Sequence, residues 1–177
     1  MGYARVDGTD ATTFAGADIG TPQFNQRLGS TMRAWADHAR EIGIDPGQIA
    51  ILLIDEPSSD KQDPQIVAWG RPIKAAAPEL LIFEDPHRPN LLEHDREMLE
   101  ICDIICPSRR KYIPGKPQVN LLDELRDGGR QLWFYSGSLP ATTSAISFRK
   151  HGWHCWKAKA TGTGYWSYGD AGQQSNS

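Results

Sequence analysis

The feature that most constrains the fold of this sequence is a regular alternation of short apolar runs with segments of helical periodicity. The first run, IAILLID at 49–55, is apolar at nearly every position, which is typical of a strand buried on both faces of a parallel sheet. Four further strands are predicted at 80–84, 103–106, 131–136 and 162–168. Strands that alternate with helices in this way indicate right-handed βαβ units and a parallel sheet.

Five helical segments separate or precede these strands. The first is predicted over 21–42, where Thr21 can cap the helix and Pro22 suits its first turn. The second begins at 63–64 and is expected to kink or break at Gly70 and Pro72. The others are predicted to follow 89–90, to cover 119–126, and to cover 144–159. Residues 1–20 are expected to form a loop leading into the barrel segment, and 171–177 a frayed or truncated tail.

Two architectures use five parallel strands: an open doubly wound sheet and part of a closed barrel. No glycine-rich phosphate fingerprint follows any strand, because GTGYW opens a strand and not a helix. We therefore predict an α/β fold of the (β/α) TIM-barrel type. Since a closed barrel needs eight strands, we expect an incomplete barrel that holds strands four to eight over 1–177.

Composition excludes several classes of partner and site. The 177 residues carry a net charge of −3 with no long basic block, so we expect no nucleic-acid surface, and no apolar run is long enough for a membrane span. Cysteines and histidines show no zinc-ligand spacing, so no metal site is predicted. The cysteines are expected in the core and His94, His151 and His154 at the surface. Trp69 and Trp133 are expected to pack in the core or between layers.

An adjacent pair of carboxylates follows the first apolar run. Asp55-Glu56 stands at the strand end, and Pro57 starts the loop. Two close charges at the end of a buried strand repel, so the pKa of one should rise. An acid beside an ionised base is the pairing that glycoside cleavage requires. The alternative is a structural pair that caps a loop or pairs with an arginine.

Other strand ends carry residues suited to sugar binding. Glu84-Asp85 precedes a proline after the second strand, and Tyr135 and Trp166 lie near later strand ends, with Asp170 beyond. Carboxylates can bond sugar hydroxyls, and aromatic faces can stack on a pyranose. We predict these five as substrate-binding residues. A turn-forming role for the acidic pair and a packing role for the aromatics stay open.

Several motifs in this order resemble those of a known family. LLIDEP, WGRPIKAAAPELLIFEDP, ICDIICP, GGRQLWFYSGS and WKAKATGTGYWSYGD resemble the catalytic domain of glycoside hydrolase family 123 and its relatives, many of which carry a domain described only as of unknown function. The similarity covers about 20–170. It implies a (β/α)-barrel that acts on β-linked N-acetylhexosaminides, with no metal or organic cofactor.

The resemblance also implies roles for the acidic pair. Glu56 is then the general acid/base of a retaining reaction, and Asp55 orients the substrate's 2-acetamido group, whose carbonyl oxygen attacks the anomeric carbon. No protein nucleophile is needed in such a reaction, unlike the two-carboxylate scheme.

Strand order agrees with the resemblance but raises a question about completeness. If 165–166 lies on the eighth strand, 49–55 is the fourth, where such enzymes usually place the acid/base. Strands one to three would then lie outside this chain, and such a fragment could be inactive alone. The start of the chain lacks a signal-peptide core. The compartment and the oligomeric state stay open, and a secreted or periplasmic location is one alternative for the full-length protein.

Two alternatives to this function remain at the level of sequence. Glu84 or Asp85 could act as nucleophile or general base in a two-carboxylate glycosidase, at a carboxyl separation of about 5 Å or about 6.5–9.5 Å respectively. The chain could instead be a non-catalytic carbohydrate-binding or structural barrel segment.

Overall fold

A computed structural model of the chain describes residues 2–5, 12–136 and 145–165. Its strands in chain order are β1 (Gly2–Arg5), β2 (Thr13–Phe14), β3 (Ala17–Asp18), β4 (Ile49–Leu52), β5 (Leu81–Glu84), β6 (Ile104–Ile105), β7 (Gln131–Ser136) and β8 (Gly162–Tyr165). Its helices are α1 (Pro22–Glu41), α2 (Gln62–Ala76), α3 (Arg96–Ile101), α4 (Pro117–Asp127) and α5 (Ala145–Lys157). Short 3-10 turns occupy Pro46–Gln48, Leu91–Glu93 and Arg109–Lys111.

The main sheet is parallel and follows the order of the chain. Strands β4 to β8 pair in sequence and form a curled half-barrel, which confirms the predicted α/β fold and incomplete TIM-barrel-like architecture. Within the described ranges, β1 adds a sixth parallel strand beside β4, with Gly2 opposite Ile49 and Arg5 opposite Leu52. This strand corrects the loop expected for residues 1–20. The segment GYAR has neither a long apolar run nor a place in the predicted alternation of strands and helices.

Two helices differ from their sequence-based outlines. Helix α2 continues through Gly70 and Pro72 without a break, although proline removes one backbone donor from its interior. Its buried side chains, which include Ile66, Trp69 and Ile73, supply packing that outweighs this local preference. The helix expected after Pro89-Asn90 is divided into a 3-10 turn and α3. The predicted tail at 171–177 lies outside the described residues.

Helix α1 begins as its sequence predicts. Thr21 is the N-cap, and its hydroxyl accepts a hydrogen bond from the backbone N–H of Phe24 at 3.2 Å. The buried stripe of the helix includes Phe24, Leu28 and Met32, at the spacing that places side chains on one helical face.

The hydrophobic core lies between the helices and one face of the sheet. Strand residues such as Ile51, Ile82 and Phe134 belong to the same buried cluster as the apolar faces of α1, α2 and α4. The three cysteines are buried, as expected. No helix in the described part of the chain is both long and apolar enough to cross a bilayer.

An aromatic cluster joins α1 to α2. Phe24 is fully buried and meets the Trp69 ring edge-on, with centroids 5.0 Å apart and planes at 90°. Trp69 therefore packs in the core, as expected from the sequence.

We expect Phe24→Ala to lower the free energy of unfolding by about 3–5 kcal/mol, because it removes a buried ring and leaves a cavity. Urea denaturation monitored by circular dichroism measures the change. Trp35→Ala on the same helix is the matched control, since that ring is 43% exposed, and it should cost less than about 1 kcal/mol. Equal losses in the two variants would contradict the assigned core.

Candidate active site

A cleft of about 690 Å³ opens at the carboxyl ends of the strands. Its apolar lining includes Leu52 of β4, Phe83 of β5 and Trp133 of β7. Its acidic lining comes from residues that follow strands: Asp55, Glu56 and Asp85, with Tyr135 of β7 close by. The carboxyl ends of parallel strands meet at one edge of the sheet, which is where (β/α) folds hold their active sites.

The structure brings four of the predicted site residues to the cleft. Asp55, Glu56, Asp85 and Tyr135 come together at the cleft. Glu84 does not line it, because its side chain is fully buried. The two remaining substrate-binding predictions, Trp166 and Asp170, lie outside the described residues.

The buried Glu84 carboxyl binds the backbone of the segment that follows β4. Its Oε1 accepts hydrogen bonds from the N–H groups of Leu53 at 3.0 Å and Ile54 at 3.3 Å. These two donors lie just beyond the ladder of β4, where buried N–H groups need another acceptor. Burial, with a smaller contribution from the charges of Asp85 and Asp55, raises the pKa of Glu84 well above its usual value.

Two further hydrogen bonds join residues 56–57 to residues 85–87. Asp85 Oδ1 accepts from the backbone N–H of Glu56 at 2.9 Å, and the Pro57 carbonyl accepts from the N–H of His87 at 2.9 Å. We call this set of contacts between 53–57 and 84–87 the strand-end clamp. It holds Glu56 at φ +48°, in the left-handed region that residues other than glycine rarely adopt.

The clamped Glu56 presents its carboxylate to two side chains. The Tyr135 hydroxyl donates to Glu56 Oε1 at 2.6 Å. His87 Nδ1 lies 3.4 Å from the same oxygen and 2.9 Å from the Tyr135 hydroxyl. His87 was not among the residues predicted from sequence, where histidines were weighed as zinc ligands or surface residues. Its position two residues after Asp85, in the loop beyond a strand end, was the available signal.

The electrostatics of the cleft favour protonated neighbours around Glu56. Burial, together with the charges of Asp55 and Glu56, raises the pKa of Asp85 from 3.8 to about 7. Burial, with the hydrogen bond to Glu56 and its charge, raises the pKa of Tyr135 well above its usual value. The phenol therefore keeps its proton and acts as a donor across the working pH range of most enzymes.

Trp133 lines the cleft and does not belong to the buried core cluster, which corrects its expected place in the core or between layers. Its half-buried indole packs edge-on against Phe83, with centroids 6.0 Å apart, and it lies against Gly162 of the adjacent strand. A Cβ built on Gly162 would come within 2.3 Å of the indole. Only glycine leaves room for the ring at this position.

A buried ionic network holds the loop that carries His87. The Asp63 carboxylate, at the start of α2, meets Arg88 at 3.3 Å and His94 Nδ1 at 3.0 Å, and it also accepts the backbone N–H of Asp95. Although burial opposes it, the hydrogen bonds and charges of these neighbours hold the pKa of Asp63 below its usual value. The network anchors both ends of the loop to the core.

Two histidines expected at the surface are buried. His94 is 6% exposed and His151 is 4% exposed. His94 completes the network around Asp63, and His151 bonds the Thr163 hydroxyl of β8. In the described ranges, no group of three or more Cys, His, Asp or Glu side chains could hold a metal ion.

Comparisons with known proteins find distant partial matches. The chain matches no protein-family model and no curated protein sequence. It is similar in structure to a GH2 beta-galacturonidase from Eisenbergiella tayi (12% identity, 85% of this chain and 30% of that one, TM-score 0.43). It is also similar to a beta-D-glucuronidase from Dictyoglomus thermophilum (11%, 88% and 31%, TM-score 0.46). A third is the GH113 beta-mannanase AaManA from Alicyclobacillus acidocaldarius (16%, 82% and 52%, TM-score 0.40).

The chain spans about a third to a half of the length of these three proteins. All three are named as glycoside hydrolases, and none is described as a member of family 123. The resemblance to that family stays a prediction.

The raised pKa of Asp85 has a consequence for stability that can be measured. The folded protein keeps the proton up to about pH 7, whereas the unfolded chain loses it near 3.8. The unfolded state therefore binds fewer protons between these values, and the free energy of unfolding falls as the pH rises from about 4 to about 7. We expect Asp85→Asn to reduce this slope, since asparagine still accepts the N–H of Glu56 but does not titrate.

Urea denaturation at pH 4.5, 5.5, 6.5 and 7.5 measures the slope. Asp37→Asn, at a half-exposed position of α1, is the matched control and should keep the wild-type slope. An unchanged slope in Asp85→Asn would show that Asp85 ionises normally in the folded protein.

Proposed function

We propose that the cleft is the active site of a retaining glycoside hydrolase in which Glu56 is the general acid/base. The observation that carries the proposal is the position of the Glu56 carboxylate. It lies in an aromatic-walled cleft at the carboxyl ends of parallel strands. The Glu56 backbone N–H donates to the Asp85 carboxyl, and the Glu56 carboxylate accepts a hydrogen bond from the Tyr135 hydroxyl. A proton donor held at a defined point is what cleavage of a glycosidic bond needs.

The composition of the cleft supports a carbohydrate substrate. Trp133, Tyr135 and Tyr165 supply aromatic surface, and Asp55 and Asp85 supply carboxylates. Pyranose rings have an apolar face that packs on aromatic rings and hydroxyls that bond carboxylates. A cleft of about 690 Å³ has the size of common small-molecule sites.

The reaction proposed for a 2-acetamido sugar follows from the adjacent acidic pair. Glu56 gives its proton to the glycosidic oxygen while the bond from that oxygen to the anomeric carbon breaks. The acetamido carbonyl oxygen forms the new bond to that carbon. Asp55 accepts a hydrogen bond from the amide N–H and so orients the acetamido group. Water then attacks the anomeric carbon and displaces the acetamido oxygen, whose bond to that carbon breaks, while Glu56 takes a proton from the water. Asp55 lines the cleft beside Glu56, as these roles require.

A two-carboxylate mechanism has less support. The carboxyl of Glu84 is fully buried and binds the Leu53 and Ile54 amides. The Asp85 carboxyl accepts the Glu56 amide. Both carboxyls therefore hold the backbone of the segment that carries Asp55 and Glu56. Neither is favoured as the nucleophile.

We expect Glu56→Gln to lower kcat for alkyl β-N-acetylhexosaminides by about 10²- to 10⁴-fold, the range for loss of a general acid. Glycosides with dinitrophenolate as leaving group need no protonation, so their glycosylation step should be nearly unaffected. Release of the aglycone in single-turnover kinetics measures both. Tyr135 and Asp85 remain in place in this variant, which keeps the cleft intact.

Glu100→Gln is the matched control, because its side chain on α3 is 51% exposed and that of Glu56 is 46% exposed. It should have wild-type rates. Substrates with a 2-hydroxyl in place of the 2-acetamido group should be cleaved far more slowly if the acetamido oxygen is the nucleophile. A folded wild-type chain that cleaves no glycoside would contradict the enzyme proposal. Sugar binding by both the wild type and the Glu56→Gln variant would then favour a carbohydrate-binding module.

A further inference from the structure

His87 contacts two residues that line the cleft, Glu56 and Tyr135, and the proposed reaction has not used it. It follows Asp85-Pro86 and is anchored through its backbone N–H to the Pro57 carbonyl at 2.9 Å. Its imidazole is half-exposed, and Nδ1 reaches both the Tyr135 hydroxyl at 2.9 Å and Glu56 Oε1 at 3.4 Å. The three side chains come from three different strand ends, so the fold itself brings them together.

The number of protons shared among Glu56, His87 and Tyr135 determines which atom donates to which. The Tyr135 hydroxyl has one proton, and it donates that proton to Glu56 Oε1 at 2.6 Å. The short contact from His87 Nδ1 to the phenol oxygen therefore needs a proton on Nδ1, because the phenol oxygen can only accept there. The imidazole thus carries Nδ1–H and donates it to the Tyr135 hydroxyl, while Nδ1 lies 3.4 Å from Glu56 Oε1.

The hydrogen bond from Tyr135 has a consequence for Glu56. It is donated to Oε1, and an oxygen that accepts this bond does not also carry the acid proton. In the acid form of Glu56 the proton then sits on Oε2. Once that proton is delivered, the bond from Tyr135 stabilises the carboxylate charge on Oε1, because hydrogen bonds to charged groups are the stronger kind. The His87 N–H holds the Tyr135 hydroxyl in place to donate it.

We propose that His87 is a positioning residue whose Nδ1–H holds the Tyr135 hydroxyl in position to donate to Glu56 Oε1, so that Glu56 delivers its proton from Oε2. This inference rests on the proposed function of Glu56. It adds a residue that acts through the acid/base and through Tyr135 and makes no contact of its own with the reacting bond.

A pair of substitutions separates this role from a structural one. His87→Ala removes the donor, whereas His87→Asn can place a side-chain N–H near the position of Nδ1. We expect His87→Ala to lower kcat/KM for alkyl or disaccharide substrates about 10- to 100-fold, the size expected for a hydrogen bond to a charged group. The loss for dinitrophenyl glycosides should be under about 3-fold, and His87→Asn should recover most of the lost activity.

Equal losses for the two leaving groups would overturn the proposal, as would no loss in His87→Ala or an asparagine variant no better than alanine. The thermal unfolding midpoint is measured for each variant. It should stay near that of the wild type, because the backbone bond from residue 87 to Pro57 survives both substitutions.

A second measurement does not depend on activity. Nitrogen-15 NMR of the chain with labelled histidine reports which ring nitrogen of His87 carries a proton. We expect a protonated Nδ1 whose shift moves in Tyr135→Phe and in Glu56→Gln. A bare Nδ1 would overturn the inference whatever the activity. A protonated, responsive Nδ1 in a chain that cleaves no glycoside would support the hydrogen-bond array and count against the proposed function alone.

Discussion

The candidate site depends on the backbone hydrogen bonds of the strand-end clamp. Strand β4 ends at Leu52, and the N–H groups of Leu53, Ile54 and Glu56 beyond it find their acceptors in the carboxyls of Glu84 and Asp85. A buried amide without a partner costs about 1–3 kcal/mol. Glu84 at the end of β5 and Asp85 just after it therefore satisfy the amides beyond β4, as the ladder satisfies those within the sheet.

From the clamp follows the geometry of the proposed chemistry. The bond from the Glu56 amide to Asp85 accompanies a left-handed backbone at Glu56, a conformation that costs roughly 1–2 kcal/mol outside glycine. Strain of this kind persists where surrounding contacts impose it, and it is common at functional sites. Here it accompanies a carboxylate that faces Tyr135 and His87 at the cleft. The network around Asp63 holds the remainder of the loop that carries His87. Both segments of the strand-end clamp, 53–57 and 84–87, are therefore anchored.

Much of this arrangement could be read from sequence, and the remainder could not, for physical reasons. Apolar runs predict the strands β4 to β7, and the alternation with helices predicts β8. Parallel strands bring their ends together, so the predicted residues Asp55, Glu56, Asp85 and Tyr135 line one cleft. Glu84 and Asp85 are neighbours, and because side chains alternate across a strand only one of them lines the cleft; the sequence does not say which. Strand β1 lacks an apolar run, and its place depends on pairing with β4. The cleft-facing Trp133 depends on Gly162, 29 residues later, which is a contact between strands that no local pattern reveals.

The most direct test of the clamp is amide hydrogen exchange at Leu53, Ile54 and Glu56, resolved by NMR in the wild type and in two variants. We expect all three amides to be protected in the wild type. Glu84→Ala should expose Leu53 and Ile54, and Asp85→Ala should expose Glu56, because each carboxyl accepts from a different set of amides. Unprotected amides in the wild type, or the same set exposed by both substitutions in a folded chain, would contradict the account.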